Sequence, residues 1–344
     1  MAYKRLIVLA GGSGYLGRLL ISSLSERYEF LVLGRPAYAK ASAGERVMRA
    51  QERETERERV RYLRYPDNPE ELAQHLEGAF GLVNLAGKSV DCRYTAKNKK
   101  EILDSRVKTT SYLGKALNAC TTPPEVWVNL SSATIYPDSQ NLQTELSATP
   151  GGNFSEDVCL AWEKAFTDAH EHRTRKVILR CGLIFGRSGG AYPVLKKLAG
   201  ICLAGKQGNG RQFMSVLHEK DFVRAVEFVL NQRCMGAYNL CIPQPVRNGD
   251  FMHLLASYPP KLPQIDQAPW LVRLGALMIR TEAELVLKSR CVIPERLLND
   301  GFRFEYENPA QILDALHSPS FQSEENVSAS RNTGNFSLAS KSSE

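Results

Sequence analysis

The feature that most constrains this chain is a short apolar run that leads directly into a glycine-rich turn. Arg5–Ala10 reads RLIVLA, the following residues read GGSGYLG, and a helical pattern continues from about 16 to 27. An apolar run of this length, bounded by glycines, is typical of a buried strand. The chain therefore begins with a predicted strand, a tight turn and a helix, which is the first unit of an α/β fold.

The spacing of the glycines in this turn, G-x-x-G-x-x-G, has a specific chemical use. The first glycine permits a tight turn, the second lets the backbone approach a pyrophosphate, and the third lets the helix pack closely on the strand. Free N–H groups and the positive dipole end at the helix N-terminus favour phosphates. We expect a dinucleotide site here, the alternative being a merely structural turn. The predicted contacts in the turn are Gly11, Ser13, Gly14, Tyr15, Leu16 and Gly17.

The end of the second predicted strand indicates which dinucleotide is bound. A carboxylate at this point would hold the ribose hydroxyls of NAD, but the sequence has Gly34 and Arg35 instead. A guanidinium suits the 2′-phosphate of NADP(H), and the alternative is a surface arginine. Small residues end the fourth strand and are expected to line the adenosine side, unless they form a plain turn. They are Leu85, Ala86 and Gly87.

Strand and helix signals alternate as far as about Arg187, which predicts an α/β protein with a Rossmann-type doubly wound parallel sheet. The predicted strands are 5–10, 30–33, 59–64, 81–85, 126–130 and 177–180, and a segment near 237–241 is expected to complete the sheet. We assign residues 1–187 to the NAD(P)-binding domain and 188–316 to a smaller C-terminal α/β substrate lobe. The Ser- and Asn-rich tail at 317–344 has few apolar residues and is predicted to be disordered.

Composition narrows the classes of partner. The formal net charge of +7 is spread along the chain, which favours an anionic small molecule and gives little support to nucleic acid. The eight cysteines form no C-x-x-C pair, so we expect reduced thiols and no metal site. No apolar stretch reaches membrane length, and a cytoplasmic location is expected. A homodimer is compatible with the sequence.

Several segments, in order, resemble one family. GGSGYLG, NLAGKSV, KNKKEILDSRVKTT, SSATIY, ILRCGLIFGRSGGA and VIPERLLNDGFRF are similar to the extended short-chain dehydrogenase/reductase, or NAD-dependent epimerase/dehydratase, superfamily. The chain most resembles its atypical YfcH-like branch, over about residues 4–316, with the C-terminal domain of that branch at about 265–316. The resemblance implies NADP(H) binding and a lobe that covers the nicotinamide end. Beyond the residues already named, it implies cofactor contacts at Glu101, Arg106 and Ile184.

The resemblance also implies a catalytic site with one element missing. Active members carry a Ser or Thr after the fifth strand and a Tyr-x-x-x-Lys on the next helix, where tyrosine moves a proton and lysine lowers its pKa. SSATIY makes Ser132 and Tyr136 the catalytic candidates, the alternatives being a capping serine and a packing tyrosine. The helix window 157–162 has no such pair, and Val158 and Trp162 are the nearest equivalents.

Two function classes follow from these observations. The leading one is an NADP-dependent oxidoreductase or epimerase that acts on a small polar substrate by hydride transfer. The alternative is a non-catalytic or regulatory NADP(H)-binding protein, because the Tyr-x-x-x-Lys pair is absent. Other candidates for the proton carrier, each with solvated or structural alternatives, are Lys88, Asp91, Arg93 and His218.

Overall fold

Residues 4–34, 59–169, 173–278 and 282–318 are described by the computed structural model of the chain. Two predictions concern residues that lie wholly or mostly outside these ranges. Arg35, the expected reader of the 2′-phosphate, lies outside the described residues. So does the tail that is predicted to be disordered, apart from its first two residues.

Strands and helices alternate along most of the described chain. The strands are β1 (Arg5–Ala10), β2 (Tyr28–Gly34), β3 (Val60–Arg64), β4 (Gly81–Asn84), β5 (Val126–Ser132), β6 (Ser139–Gln143), β7 (Arg175–Cys181), β8 (Leu183–Phe185), β9 (Phe213–Met214), β10 (Val216–His218), β11 (Gly236–Leu240), β12 (Val246–Arg247) and β13 (Arg290–Val292). The helices are α1 (Tyr15–Leu24), α2 (Pro69–Leu76), α3 (Ala96–Ala119), α4 (Phe154–Thr167), α5 (Tyr192–Gly200), α6 (Glu219–Asn231), α7 (Asn248–Ala256), α8 (Pro269–Met278), α9 (Glu284–Leu287), α10 (Glu295–Asn299) and α11 (Pro309–His317).

A seven-stranded sheet forms the centre of the fold, in the order β11-β7-β5-β4-β1-β2-β3. All neighbouring strands in it are parallel. The chain order reverses between β1 and β4, and ligands of such sheets bind outside the carboxyl ends of the strands at this switch point. The predicted Rossmann-type doubly wound sheet is confirmed, with β11 as its last strand.

Helices cover both faces of the sheet, and each face has its own apolar layer. On one side Leu9 of β1 packs in a cluster with Phe222 of α6. On the other side Trp127 of β5 packs with Phe166 of α4, their ring centroids 4.4 Å apart. A parallel sheet buried on both faces needs nearly continuous apolar strands. This explains why Ile7–Ala10 is at most 1% exposed.

A separate apolar cluster includes Phe185, Tyr192, Phe251 and Ile312, and the C-terminal elements that pack around it are called the smaller lobe below. The lobe contains α5 and α7, which the sequence pattern did not predict, because their apolar residues are short runs interrupted by glycines and prolines. Its edge is joined to the main domain where β13 pairs in parallel with β6. This pairing holds the segment that follows α9 against the loop that follows β5.

The sequence at about 268–287 has a helical pattern that predicts one helix, and the structure has two helices there. α8 covers the first half of this segment and the short α9 lies near its end, while residues 279–281 between them lie outside the described part of the chain. The single amphipathic pattern therefore does not form one continuous helix, since α9 begins only after a turn at Ala283.

Candidate functional site

The glycine turn lies at the switch point, and it is packed too closely for a side chain at Gly11 or Gly17. Gly11 has a φ of +82°, and a Cβ there would lie 2.7 Å from the carbonyl carbon of Leu85 and 2.8 Å from the amide nitrogen of Ala86. A Cβ at Gly17 would lie 2.3 Å from the Cα of Gly12. The turn thus allows α1 to begin directly above the ends of β1 and β4. Its first backbone N–H groups lack helical partners and suit an anion.

Tyr15, the first residue of α1, packs along the loop that follows β8. A Cβ at Gly189 would lie 2.4 Å from the Tyr15 ring. The Tyr15 hydroxyl donates to the carboxylate of Glu219, which also accepts a 3.2 Å hydrogen bond from the backbone of Arg187. Burial raises the pKa of Tyr15, so its hydroxyl stays protonated as a donor. These contacts tie the glycine turn to the loop after Ile184, which is 8% exposed.

The other predicted residues of the turn and of β2 lie at the carboxyl edge of the sheet and are held there by local contacts. The Ser13 carbonyl accepts a 2.6 Å hydrogen bond from the Arg18 guanidinium. Leu16 packs against the apolar layer on the α1 side of the sheet. Gly34 ends β2, and its carbonyl accepts a 3.2 Å hydrogen bond from the amide of Tyr65. Arg35 follows immediately in sequence.

A buried polar network holds the end of β4, which the sequence analysis did not identify. The Asn84 amide donates to Thr110 Oγ1 at 3.0 Å and to Asn129 Oδ1 at 2.7 Å, and its own Oδ1 accepts from the Ala86 amide at 3.1 Å. The Trp162 indole donates to the same Thr110 hydroxyl at 3.0 Å. The network fixes the backbone of the predicted cofactor contacts Leu85 and Ala86. An asparagine within an apolar strand was the signal that could have revealed it.

Arg106, a predicted cofactor contact, lies against the backbone of Gly87. A Cβ at Gly87 would lie 3.0 Å from the Arg106 guanidinium carbon. The guanidinium donates to the Lys88 carbonyl at 3.0 Å and to the Ile102 carbonyl at 3.1 Å, and lies 5.0 Å above the Trp162 ring. Burial lowers the pKa of Arg106. No carboxylate of the described residues forms an ion pair with it, so its charge remains available to a phosphate.

Glu101 lies five residues before Arg106 on α3, at the exposed rim of the same region. Its carboxylate accepts a hydrogen bond from the Lys88 ammonium, which lowers the pKa of Glu101. The same ammonium donates to Asn98 Oδ1 at 2.7 Å. Lys88 is therefore held by side chains of α3, which favours a structural role for it over that of a proton carrier.

Ser132 ends β5 and caps the short 3₁₀ turn that follows. Its hydroxyl oxygen accepts from the Thr134 amide at 3.2 Å and from the Thr134 hydroxyl at 3.0 Å. Thr134 in turn lies 3.4 Å from the Cys159 sulfur on α4. Burial raises the pKa of Cys159, which therefore remains a neutral thiol. Because both bonds to Ser132 are accepted ones, its own hydroxyl proton is left for another oxygen.

The α4 face that meets Ser132 and the 3₁₀ turn after it is not the face of Val158 and Trp162, which the sequence spacing indicated. Cys159 contacts this 3₁₀ turn, and Ser155 lies one turn earlier on the same face. Val158 and Trp162, named as nearest equivalents of the Tyr and Lys, lie on a neighbouring face of α4, where the Trp162 indole donates to Thr110 at 3.0 Å. Neither Ser155 nor Cys159 can replace a Tyr-x-x-x-Lys pair.

Tyr136 is fully buried, and its hydroxyl already has two partners. It donates to Asn239 Oδ1 at 2.8 Å and accepts from Arg180 at 2.9 Å. Arg180 forms a two-point ion pair with Glu163, at 3.0 and 2.9 Å. Burial raises the pKa of Tyr136. This arrangement favours the packing interpretation of Tyr136 over an acid–base role.

His218 precedes α6 and is 3% exposed. Its Nδ1 accepts a 3.2 Å hydrogen bond from the Lys220 amide, and its ring lies against Tyr306 with centroids 3.9 Å apart. Burial lowers the pKa of His218 to about 4, so the ring is neutral at pH 7. These contacts favour a structural capping role.

The described ranges of the chain contain no group of three or more His, Cys, Asp or Glu side chains arranged to hold a metal ion. Among the helices of those ranges, none combines the length and apolar character needed to cross a membrane. All eight cysteines are free thiols.

Two family models match this chain. Residues 7–241 match the one described as the NAD dependent epimerase/dehydratase family. Residues 269–316 match one described as a domain of unknown function, DUF1731. The first match spans the parallel sheet and the glycine turn, and the second spans α8 to α11 of the smaller lobe.

Known proteins are similar over nearly the whole chain. An epimerase family protein of Staphylococcus epidermidis is 28% identical over 312 residues, which are 90% of this chain and 98% of that protein. Human epimerase family protein SDR39U1, solved with NADPH, has a TM-score of 0.76 at 24% identity, covering 91% of this chain and 99% of that one. UDP-glucuronic acid 4-epimerase from Bacillus cereus, solved with UDP-glucuronic acid and NAD, has a TM-score of 0.66 at 15% identity and covers 91% and 98%.

Proposed function

This chain belongs to the NAD dependent epimerase/dehydratase family, and from that membership we propose that it binds NADP(H) and transfers a hydride to or from a small polar substrate. The observation that carries the proposal is the glycine turn at the switch point, where any side chain at Gly11 or Gly17 would collide with backbone. Such a turn leaves room for a pyrophosphate on the N-terminus of α1.

The residues present fit a phosphorylated dinucleotide in a second way. Arg106 is a half-buried cation with no carboxylate partner among the described residues, and it lies against the Gly87 backbone. A partly buried charge without an ion pair is costly, and an anionic ligand offsets that cost. The human relative was solved with NADPH and the B. cereus enzyme with NAD. For this chain we propose NADP(H), because Arg35 follows β2 where NAD-binding sites carry a carboxylate.

The substrate would lie at the carboxyl end of β5. A bound nicotinamide supplies or accepts the hydride. Ser132 would orient the substrate oxygen, and this is supported by its hydroxyl proton, which is not used by Thr134. Cys159, as a neutral thiol, would line the side of this substrate position with an uncharged group. The C-terminal lobe would exclude water from this corner and so strengthen the polar contacts made there.

Replacing Arg35 by alanine tests the choice of cofactor. We expect NADPH affinity to fall by about 1.5–3 kcal/mol, the value of a charge-assisted hydrogen bond, with little change for NADH. Isothermal titration with both cofactors measures this difference. Arg27→Ala is the matched control, because Arg27 is exposed and pairs with Glu227 away from the turn. Equal losses for NADPH and NADH would show that Arg35 does not bind the 2′-phosphate.

Replacing Ser132 by alanine tests the hydride-transfer proposal. We expect about a tenfold loss of kcat/KM, since one neutral hydrogen bond contributes up to about 1.5 kcal/mol. The absorbance of NADPH is followed with panels of carbonyl compounds and sugar nucleotides, and Ser257→Ala serves as an exposed control. Turnover that is unaffected in Ser132→Ala would contradict the assignment.

A non-catalytic NADP(H)-binding role is the second candidate, and one observation favours it. The α4 face that meets Ser132 carries Ser155 and Cys159 where a tyrosine and a lysine would be needed. Tight NADPH binding without turnover on any panel would support this candidate. A cytoplasmic location and a homodimer stay predictions, as does the absence of a nucleic-acid partner.

A further inference from the structure

The side chain of Tyr15 makes contacts that a glycine turn does not by itself require. A dinucleotide is held by the backbone N–H groups at the start of the helix, whatever side chain follows the turn. In this chain the phenol of Tyr15, the first residue of α1, is half-buried and donates to the carboxylate of Glu219. Glu219 is the first residue of α6. The bond therefore joins the N-termini of two helices on the same side of the sheet.

The loop at residues 186–190, which follows β8, is fitted around this bond. A Cβ at Gly186 would lie 2.7 Å from the carboxyl carbon of Glu219, and a Cβ at Gly189 would lie 2.5 Å from Cγ of Tyr15. Both distances are too short for a side chain to be accommodated. The backbone of the loop thus lies directly against the Tyr15 ring and the Glu219 carboxylate.

Arg187 fixes the middle of this loop from two directions. Its backbone amide donates to Glu219 Oε1 at 3.2 Å. Its guanidinium donates to the carbonyls of Ala315 at 2.6 Å and Ser318 at 2.8 Å, at the end of α11. The loop is therefore anchored to α6 and to α11, and the Tyr15 ring packs between it and the glycine turn.

The carboxylate of Glu219 is balanced where it lies. It accepts from the Tyr15 hydroxyl and from the Arg187 amide. It also belongs to the first turn of α6, where the helix dipole favours a negative charge. A hydrogen bond to an ionised acceptor is stronger than one between neutral groups. Loss of the Tyr15–Glu219 bond should therefore loosen the loop measurably.

Tyr15 also supplies one of the backbone donors expected for the cofactor, because the first N–H groups of a helix have no helical partner. We propose that Tyr15, Glu219 and the loop at 186–190 form a clamp that fixes the direction of this donor and prolongs the lifetime of the bound dinucleotide. Donors that are ordered in advance reduce the cost of binding, and such gains are expressed mainly as slower dissociation. The inference rests on the proposed function and assigns the Tyr15 side chain and Glu219 as positioning residues in it.

The dissociation rate of NADPH from the full chain tests this inference. Protein loaded with NADPH is mixed with excess NADP⁺ in a stopped-flow fluorimeter, and the fall in nicotinamide fluorescence gives the rate constant. Tyr15→Phe and Glu219→Ala should each release NADPH about tenfold faster, as expected for the loss of one charge-assisted hydrogen bond. Glu219→Gln keeps hydrogen-bonding groups of the same size and should stay closer to the wild type than Glu219→Ala.

Tyr238→Phe is the matched control. The Tyr238 hydroxyl donates to the carboxylate of Asp300 at 2.6 Å, so this variant loses the same kind of bond at the β11 edge of the sheet. Its NADPH dissociation should equal that of the wild type. Hydrogen exchange of the cofactor-free protein gives a second measurement. Amides at 186–190 should exchange faster in Tyr15→Phe than in the wild type or in Tyr238→Phe.

Several results would overturn the inference. Dissociation within about twofold of wild type in folded Tyr15→Phe and Glu219→Ala would show that the bond is merely structural, and so would unchanged exchange at 186–190. Slower release from Glu219→Ala would show that the carboxylate repels the cofactor. If Glu219→Ala does not fold, Tyr15→Phe decides, because that change removes a single oxygen atom. Failure of the wild type to bind NADPH would instead overturn the proposed function, and the exchange measurement would then decide whether the clamp exists.

Discussion

The Gly17→Ala variant is expected to bind NADPH at least about 100-fold more weakly than the wild-type chain. The new Cβ would lie 2.3 Å from Gly12 Cα and 2.6 Å from the Gly12 carbonyl carbon, so α1 must move away from the turn. That movement withdraws backbone N–H donors from the pyrophosphate. Loss of two charge-assisted hydrogen bonds, at about 1.5–3 kcal/mol each, corresponds to at least this change in Kd.

Isothermal titration of folded protein measures this effect. Gly200→Ala is the matched control, since a Cβ at Gly200 meets no atom within 4 Å, and it should leave NADPH affinity unchanged. Circular dichroism of both variants separates lost binding from lost folding. Affinity within threefold of wild type in Gly17→Ala would show that the turn does not hold the cofactor.

The Glu163→Ala variant is expected to lower the free energy of unfolding by about 3–5 kcal/mol, the cost of removing one partner of a buried ion pair. Arg180 is 9% exposed and would lose both of its bonds to the carboxylate, at 3.0 and 2.9 Å. Ser131 would lose its 2.7 Å hydrogen bond to the same group. Urea unfolding followed by tryptophan fluorescence measures the change.

The neighbouring residue provides the control for this variant. Lys164 pairs with Asp168 at 2.8 Å, but both side chains are exposed. Lys164→Ala should therefore cost no more than about 1 kcal/mol. Similar destabilisation by the two variants would argue that the buried pair has no special role in holding α4 to β7.

The elements of the Rossmann-type domain were predictable because they are encoded locally. Each strand predicted as far as 180 is present with ends within two residues of the expected position, and so is β11. Buried parallel strands are short apolar runs bounded by turn residues, which is the pattern that single sequences show most clearly. The smaller lobe was predicted less well, because α5, α7 and α9 are short and take their stability from packing.

The candidate site was predictable only in part, for a related reason. The spacing of Gly11 and Gly17 alone predicts a tight turn, and the structure shows both glycines in close contact with neighbouring backbone. On α4 the spacing indicates Val158 and Trp162, whereas Cys159 is the residue that lies beside Thr134 in the structure. Which helix face meets β5 depends on a rotation that spacing alone does not determine. Tyr136 was open between two roles until its hydroxyl was found bonded to Asn239 and Arg180.

The sequence by itself determined the doubly wound sheet and the glycine turn, since each depends on residues close together in the chain, and it predicts a preference for a phosphorylated dinucleotide. The tertiary structure alone decided which polar side chains contact one another in the protein interior. It joined Asn84 to Asn129, Glu163 to Arg180 and Tyr15 to Glu219. Such pairs lie on different strands and helices, and their energies depend on burial and geometry that exist only after the sheet has formed.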